Sequence, residues 1–312
     1  MLKVITNDKQ GTGMIRELND FYRDHQEMMV NGVFVRYFDS TYRLEGAADN
    51  PKSTVIAMHG VATSGYLYRH IINRFGASVR MIVPDLPGFG RSAKRLPWAA
   101  KYKYYMQWFE GFFNSLNIPP HEKVHFIGHD FGALLALGFS VEHPQHIASI
   151  FCTNTCIHFE HTIPTPWLGI SLAPIIGQRI GRLCAREPLL SMIFKRVFHS
   201  KPSQSTVEAY LDVYKDKDAR NVLMNFMHHL PSMAGIMWTL RRQLKQLQCP
   251  VHLVFGGEDP LMRRGEARAM AEILSKGSYR NLSNIGHFPN EEAHEAVCEE
   301  LHAHLLKLGV SC

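Results

Sequence analysis

Asp130, Asp259 and His287 are the residues of this 312-residue chain whose types and spacing suit covalent chemistry. Asp130 centres the motif Gly128-His129-Asp130-Phe131-Gly132, between a short apolar run from Val124 to Ile127 and a helix-like pattern through Leu134, Leu135, Leu137 and Phe139. That order predicts a strand, a sharp turn and a helix. Two glycines let the turn tighten while its central residue takes a strained backbone, so that Asp130 stands at the top of a sheet. A carboxylate there is a nucleophile without help from a base and suits displacement at a saturated carbon, giving a covalent ester. Taken alone, the same motif reads first as a strand-to-helix loop with a helix-capping aspartate.

The remaining segments decide between the two. Val55 to Gly60 is a buried-strand run ending in His59-Gly60, and Val79 to Asp85 is a second strand leading into Leu86-Pro87-Gly88-Phe89-Gly90-Arg91-Ser92. Val251 to Pro260 is a strand that delivers an acid, and Asn284-Ile285-Gly286-His287-Phe288 places a histidine in a loop after another short strand. Nucleophile, acid, histidine is the chain order of α/β-hydrolases. In the expected mechanism His287 takes a proton from the water that attacks the ester, and Asp259 fixes the imidazole tautomer and steadies its charge. Glu258 is the adjacent alternative acid and Asn154 can only orient, so Asp259, before Pro260, is preferred. The backbone N–H groups of Val61 and Phe131 would form the oxyanion hole, a role indifferent to their side chains. No cofactor is required.

These residues resemble a known family. His59-Gly60-Val61-Ala62-Thr63-Ser64-Gly65-Tyr66-Leu67-Tyr68-Arg69, Asp85 to Ser92 and Gly128 to Gly132 are similar to the haloalkane dehalogenase and epoxide hydrolase branch of the α/β-hydrolases, over about Val33 to Leu306. Asn154 at a strand end and Glu208-Ala209-Tyr210 make haloalkane dehalogenases the nearer likeness. The resemblance implies an α/β-hydrolase fold, a small apolar electrophile as substrate and water as co-substrate. The chain departs from it where the leaving group is met: Phe131 and Val61 stand where dehalogenases commonly carry tryptophan and asparagine, and neither side chain donates a hydrogen bond. The alternative is an epoxide hydrolase, a family with two cap tyrosines that protonate the epoxide oxygen; Tyr210 and Tyr214 are available for this, while Met227 stands near where the second tyrosine would be expected. Further alternatives are a non-catalytic ligand-binding protein and a cofactor-independent oxygenase, since Gly60 to Ser64 is also similar to a loop of sea-pansy luciferase.

The elements that must position these residues follow from periodicity. Residues 1–30 read as a polar helical lead-in. Residues 31–156 and 246–312 read as one α/β core, a mostly parallel sheet covered by helices on both faces, with strands alternating with helices over 65–76, 101–117 and 132–143. Residues 157–245 lack a strand rhythm and read as an inserted helical cap. Its first stretch, Pro164 to Ile176, is apolar, and Trp167 within it is the candidate substrate-binding side chain with both bulk and an N–H donor. Arg179, Arg182 and Arg186 follow at helical spacing; the face reads first as solvated, with contact to anionic lipid as the second reading.

Composition excludes several classes. Hydrophobic residues make up 46% and charged residues 20%, which supports a packed core rather than disorder. The net charge of +6 comes without a basic run, so nucleic acid is not an expected partner. Six cysteines lack metal or redox spacing, and His228-His229 and His302-x-His304 have no carboxylate or cysteine to complete a set, so no metal is expected. Met1 to Val30 has no apolar signal core and no stretch is long enough to span a bilayer, which makes a cytoplasmic location the default.

Overall fold

The computed structural model describes residues 17–42, 53–162 and 185–312. Trp167, Arg179 and Arg182 lie outside the described residues. Eight strands, Gln26–Val30 (β1), Val33–Asp39 (β2), Thr54–Met58 (β3), Arg80–Pro84 (β4), Val124–His129 (β5), Ile147–Thr153 (β6), Val251–Gly256 (β7) and Gly277–Leu282 (β8), form one sheet in the order β1-β2-β4-β3-β5-β6-β7-β8. From β4 to β8 all pairings are parallel, and β2 joins β1 and β4 antiparallel. The expected α/β-hydrolase architecture is the one observed.

The central strands owe their place to unbroken apolar runs: every residue of β3 and β5 is buried, as a strand covered on both faces requires. β1 corrects the expected helical lead-in. Half-buried and exposed positions alternate along it up to buried Val30, and Asn31 and Gly32 both take positive φ, 50° and 76°, in the two-residue turn that folds it back on β2. Within 17–30 only Leu18–Arg23 (α1) is helical.

Helices Arg69–Phe75 (α2), Tyr102–Asn114 (α3) and Phe131–Glu142 (α4) connect the parallel strands. α4 is buried from Phe131 to Ser140 and packs on β3, β5 and β6, because a helix apolar all round has no solvent face to offer. Between β6 and β7 the described residues are helical and strand-free: Leu189–Lys195 (α5), Gln204–Leu211 (α6), Lys217–His229 (α7) and Met233–Gln243 (α8). Ser203 caps α6 by accepting from Thr206 N, and Asp216 caps α7 by accepting from Asp218 N and Ala219 N. Glu266–Ile273 (α9), Pro289–Glu292 (α10) and His294–Lys307 (α11) close the chain. No helix among the described residues is long and apolar enough to cross a membrane.

The sheet order matters for chemistry. The chain leaves β3 to add β4 on one side and then returns to add β5 on the other. The loops from the carboxyl ends of β3 and β5 therefore diverge and leave a crevice between them, the place where parallel sheets hold ligands. Val61 and Asp130 follow those two strand ends.

Candidate active site

The turn at Asp130 is as tight as its two glycines suggest. Asp130 takes φ 49° and ψ −120°, a strained conformation for a residue with a side chain. A methyl group on Gly132 would come within 2.1 Å of Met58 O, and one on Gly128 within 2.4 Å of Ala133 Cα, so neither glycine can be replaced without moving β3 or α4. Thr155 Oγ1 donates to Asp130 O at 2.8 Å and adds a tie from the exit of β6.

Val61 N donates to Asp130 Oδ2 at 3.0 Å, and Phe131 N also bonds the carboxylate. The two backbone groups expected to form an oxyanion hole thus already converge on one carboxylate. Burial pushes the Asp130 pKa up, while His287 and the two backbone donors oppose the rise. Such opposed influences mark a carboxylate held beside an imidazole in a water-poor site.

His287 lies in the loop after β8. Its Nδ1 is 2.7 Å from Asp259 Oδ2, which leaves Nε2 as the ring atom available to take a proton, and His287 lines the same cavity as Asp130. Burial works against the charged imidazole, but Asp259 beside it and Asp130 across from it outweigh burial and raise the His287 pKa. Asp259 accepts in addition from Asn154 Nδ2 at 2.7 Å and from Leu261 N at 2.8 Å. Asn154, held by Gly256 N donating to its Oδ1 at 2.8 Å, spans β6 and β7 and orients the acid. Glu258 is turned outward to Arg264 at 2.6 Å, so the neighbouring acid is removed from the site by its own partner.

The histidine loop is held from the other side too. Glu292 accepts from Gly286 N at 2.9 Å and from His199 N and Ser200 N at 2.8 and 2.9 Å, while His287 N donates to Val197 O at 2.8 Å. His287 is thereby bonded directly to the residues after α5. Sequence reasoning passed over Glu292, since nothing local in Pro289-Asn290-Glu291-Glu292 marks which carboxylate turns back towards the loop. His59 is structural: its Nε2 accepts from Leu86 N at 2.9 Å, and burial lowers its pKa, so the ring is a neutral brace beneath the oxyanion loop.

A cavity of about 280 Å³ opens over Asp130 and His287. Its walls are apolar: Phe131, Leu134, Phe194, Phe226 and Phe288 stand with five methionines, Met224, Met227, Met233, Met237 and Met262. Phe131 and Phe226 pack edge to face with centroids 4.7 Å apart, which fixes the floor beside Asp130. Thr162, the one hydroxyl among the described lining residues, donates to Phe159 O at 2.7 Å.

Two expected substrate contacts are corrected. Tyr210 and Tyr214 are buried but do not line the cavity. Tyr210 donates its hydroxyl to Glu291, which also pairs with Arg69, with Arg69 Nη2 to Glu291 Oε2 at 2.7 Å. Burial and the Glu291 charge raise the Tyr210 pKa strongly. The tyrosine therefore serves a buried junction between α6 and the core. Tyr214 has its hydroxyl buried with no hydrogen-bond partner among the described residues. Met227 does line the cavity. Periodicity could not separate these outcomes, because the face a helix turns inward in an insert is set by what it packs on.

Among the described residues, one group of three has metal-ligand character: His158, His161 and Glu266, whose donor atoms lie within 4.8 Å of one another. The sequence reading weighed other histidines and missed this set, because Glu266 is more than a hundred residues away in the chain.

A family model for the alpha/beta hydrolase fold matches residues 53–294. The chain is 36% identical over 274 residues to a haloalkane dehalogenase of Mycobacterium marinum, covering 82% of this chain and 85% of that one. It is 29% identical over 218 residues to coelenterazine h 2-monooxygenase of Renilla reniformis, covering 67% of this chain and 66% of the relative. The structure of haloalkane dehalogenase DbeA from Bradyrhizobium elkani superposes with a TM-score of 0.78 at 17% identity, over 91% of this chain and 98% of that one.

Proposed function

From the premise that the chain belongs to the α/β-hydrolase superfamily, in its haloalkane dehalogenase and epoxide hydrolase branch, we propose that it is a hydrolase working through a covalent ester on Asp130. The observation that carries the reading is the placement of Asp130 and His287 on one apolar cavity, with Asp259 behind the histidine. In the first half, an Asp130 oxygen attacks an sp³ carbon and the bond to the leaving group breaks, the leaving group departing with the electron pair. In the second, His287 Nε2 takes a proton from water as the hydroxide oxygen bonds the ester carbonyl carbon. The tetrahedral oxyanion falls to Val61 N and Phe131 N, which already bond the carboxylate in the ground state. Collapse returns Asp130 and releases the alcohol.

The cavity supports an apolar substrate of modest size. Its described walls supply no free hydroxyl or amide side chain to a departing halide, and a missing donor at a developing anion costs roughly 2.7–4 kcal/mol. Small chloroalkanes are therefore expected to turn over slowly, and any halide preference to run towards those that leave with least help. The epoxide reading loses its two tyrosine donors to positions off the cavity.

The test is His287→Gln. With a haloalkane or epoxide panel, ester formation should persist while hydrolysis stops, leaving a mass adduct on the peptide that contains Asp130. An adduct elsewhere, or undiminished turnover, overturns the assignment. A second reading, cofactor-independent oxidation, is favoured by the likeness to the Renilla reniformis monooxygenase. Oxygen uptake in the presence of coelenterazine h, with no halide or diol formed from the panel, would establish it over hydrolysis.

A further inference from the structure

We propose that His158, His161 and Glu266 form a binding site for one divalent transition-metal ion of the zinc class, which staples the start of the inserted segment to the loop after β7.

The site is built around a buried charge. Glu266, at the first turn of α9, is 1% exposed. Its Oε1 accepts from Ile157 N at 2.9 Å and His158 N at 3.3 Å, so two backbone donors fix the carboxylate in place. Among the described residues no lysine or arginine pairs with it; the side chains that face it are two imidazoles, with His158 Nδ1 and His161 Nδ1 at 2.9 and 2.6 Å from Oε2, and the Cys156 thiol beside them. A buried carboxylate with two imidazole nitrogens converging on it is a set of three ligand atoms that a divalent cation placed among them would satisfy.

The local backbone explains the convergence. Residues Phe159–His161 form a 3₁₀ turn with His158 at its start. Side chains at i and i+3 eclipse in such a turn, so His158-x-x-His161 presents both rings on one side, with centroids 4.9 Å apart. In the ion-free state each ring donates an Nδ1 proton to Glu266. On binding, the proton of each ring moves to Nε2 through solvent and the Nδ1 lone pair meets the ion. Opening the two contacts by less than about 1 Å accommodates bonds of about 2.0–2.2 Å to nitrogen and oxygen, with water completing the shell. His161 is 31% exposed and provides the approach from solvent.

The place of the site gives it a consequence. Thr162 bridges Met262 in an antiparallel pair, and Arg263 N donates to His161 O at 2.8 Å, so the turn is already seated on the loop that follows Asp259. Cys156, Thr162 and Met262 line the cavity. An ion here would brace that wall at its base.

The experiment is titration of the metal-stripped full chain with Co²⁺ as a spectroscopic probe, displacement by Zn²⁺, and thermal melting with and without Zn²⁺. The expected result is one saturable site per chain with visible bands of a low-coordinate ion, and a melting temperature raised by several degrees. His161→Ala, a change at a partly exposed side chain, should weaken binding at least tenfold and abolish the melting shift, and His158→Gln should do the same. A double substitution at His228 and His229, a surface pair without a carboxylate, should change nothing. Absence of saturable Co²⁺ binding, or binding unaffected by both His161→Ala and His158→Gln, overturns the proposal, as does loss of the site in the His228 and His229 variant.

Discussion

The sheet end and the inserted helices meet across one cavity, yet they are held by opposite physics. On the sheet side each candidate catalytic group has several directed partners: Asp130 bonds Val61 N and Phe131 N, and Asp259 bonds Asn154, Leu261 N and His287. On the insert side the described wall is made mostly of apolar side chains, among them Met224, Met227, Met233 and Met237. Directed hydrogen bonds fix atoms to a few tenths of an ångström, which bond making needs. Methionine fills space without fixing it, which suits a wall that must admit ligands of differing shape. On the proposed mechanism chemistry and selection are thus separated in the fold, and substitutions on the two sides should fail differently.

The largest effect is expected at the nucleophile. Asp130→Ala should reduce turnover by about 10⁴-fold or more on any substrate found for the wild type, with no adduct formed; residual activity within tenfold would place the reaction elsewhere. Next comes the support of the acid. Asn154→Ala removes a hydrogen bond to a charged group worth about 1.5–3 kcal/mol, so the hydrolytic half should slow roughly 10- to 150-fold while ester formation, followed by burst kinetics, changes little. Equal slowing of both halves would mean that Asn154 acts on the whole sheet end rather than through Asp259.

A smaller effect separates the two charges that act on His287. The imidazole is a base only when neutral, so ester hydrolysis should fall as pH drops through its pKa, which is raised by Asp259 and Asp130 once burial is overcome. Esterification removes the Asp130 charge. The inflection measured in single-turnover hydrolysis of the ester should therefore lie below the His287 titration followed by NMR in the free protein; coincident values would deny that Asp130 contributes. The smallest effect is expected on the far wall. Met237→Leu conserves volume and should alter turnover less than about tenfold, the change appearing as a shift in preferred substrate size.

The same division governs what could be read from the sequence. Gly128 to Gly132 encodes its turn within five residues, because the clash of a Cβ at Gly128 with Ala133 is a local demand, and the apolar runs of β3 and β5 announce their burial directly. Asp259 could be preferred to Glu258 from Pro260 alone, and the outward pairing of Glu258 with Arg264 agrees with that choice. The strand Gln26–Val30 was legible too, in Asn31-Gly32, but its polar alternation reads as helix when the turn is overlooked. Tyr210 and Glu266 were not legible. Their partners, Glu291 in one case and His158 and His161 in the other, lie 81 to 108 residues away, and no period in the chain connects them.

The bonds that run from Glu292 to Gly286, His199 and Ser200, together with His287 N to Val197 O, bear on how this fold tolerates recombination. An insert exchanged with that of a relative brings its own backbone at residues 197–200, and the imidazole inherits its position from that backbone. Chimeras cut inside this stretch should misplace the base even when every core residue is native. Those that transfer the segment after α5 together with the loop and carboxylate at 286–292 keep the seat of the histidine intact, so the natural unit of exchange is not the helical insert by itself.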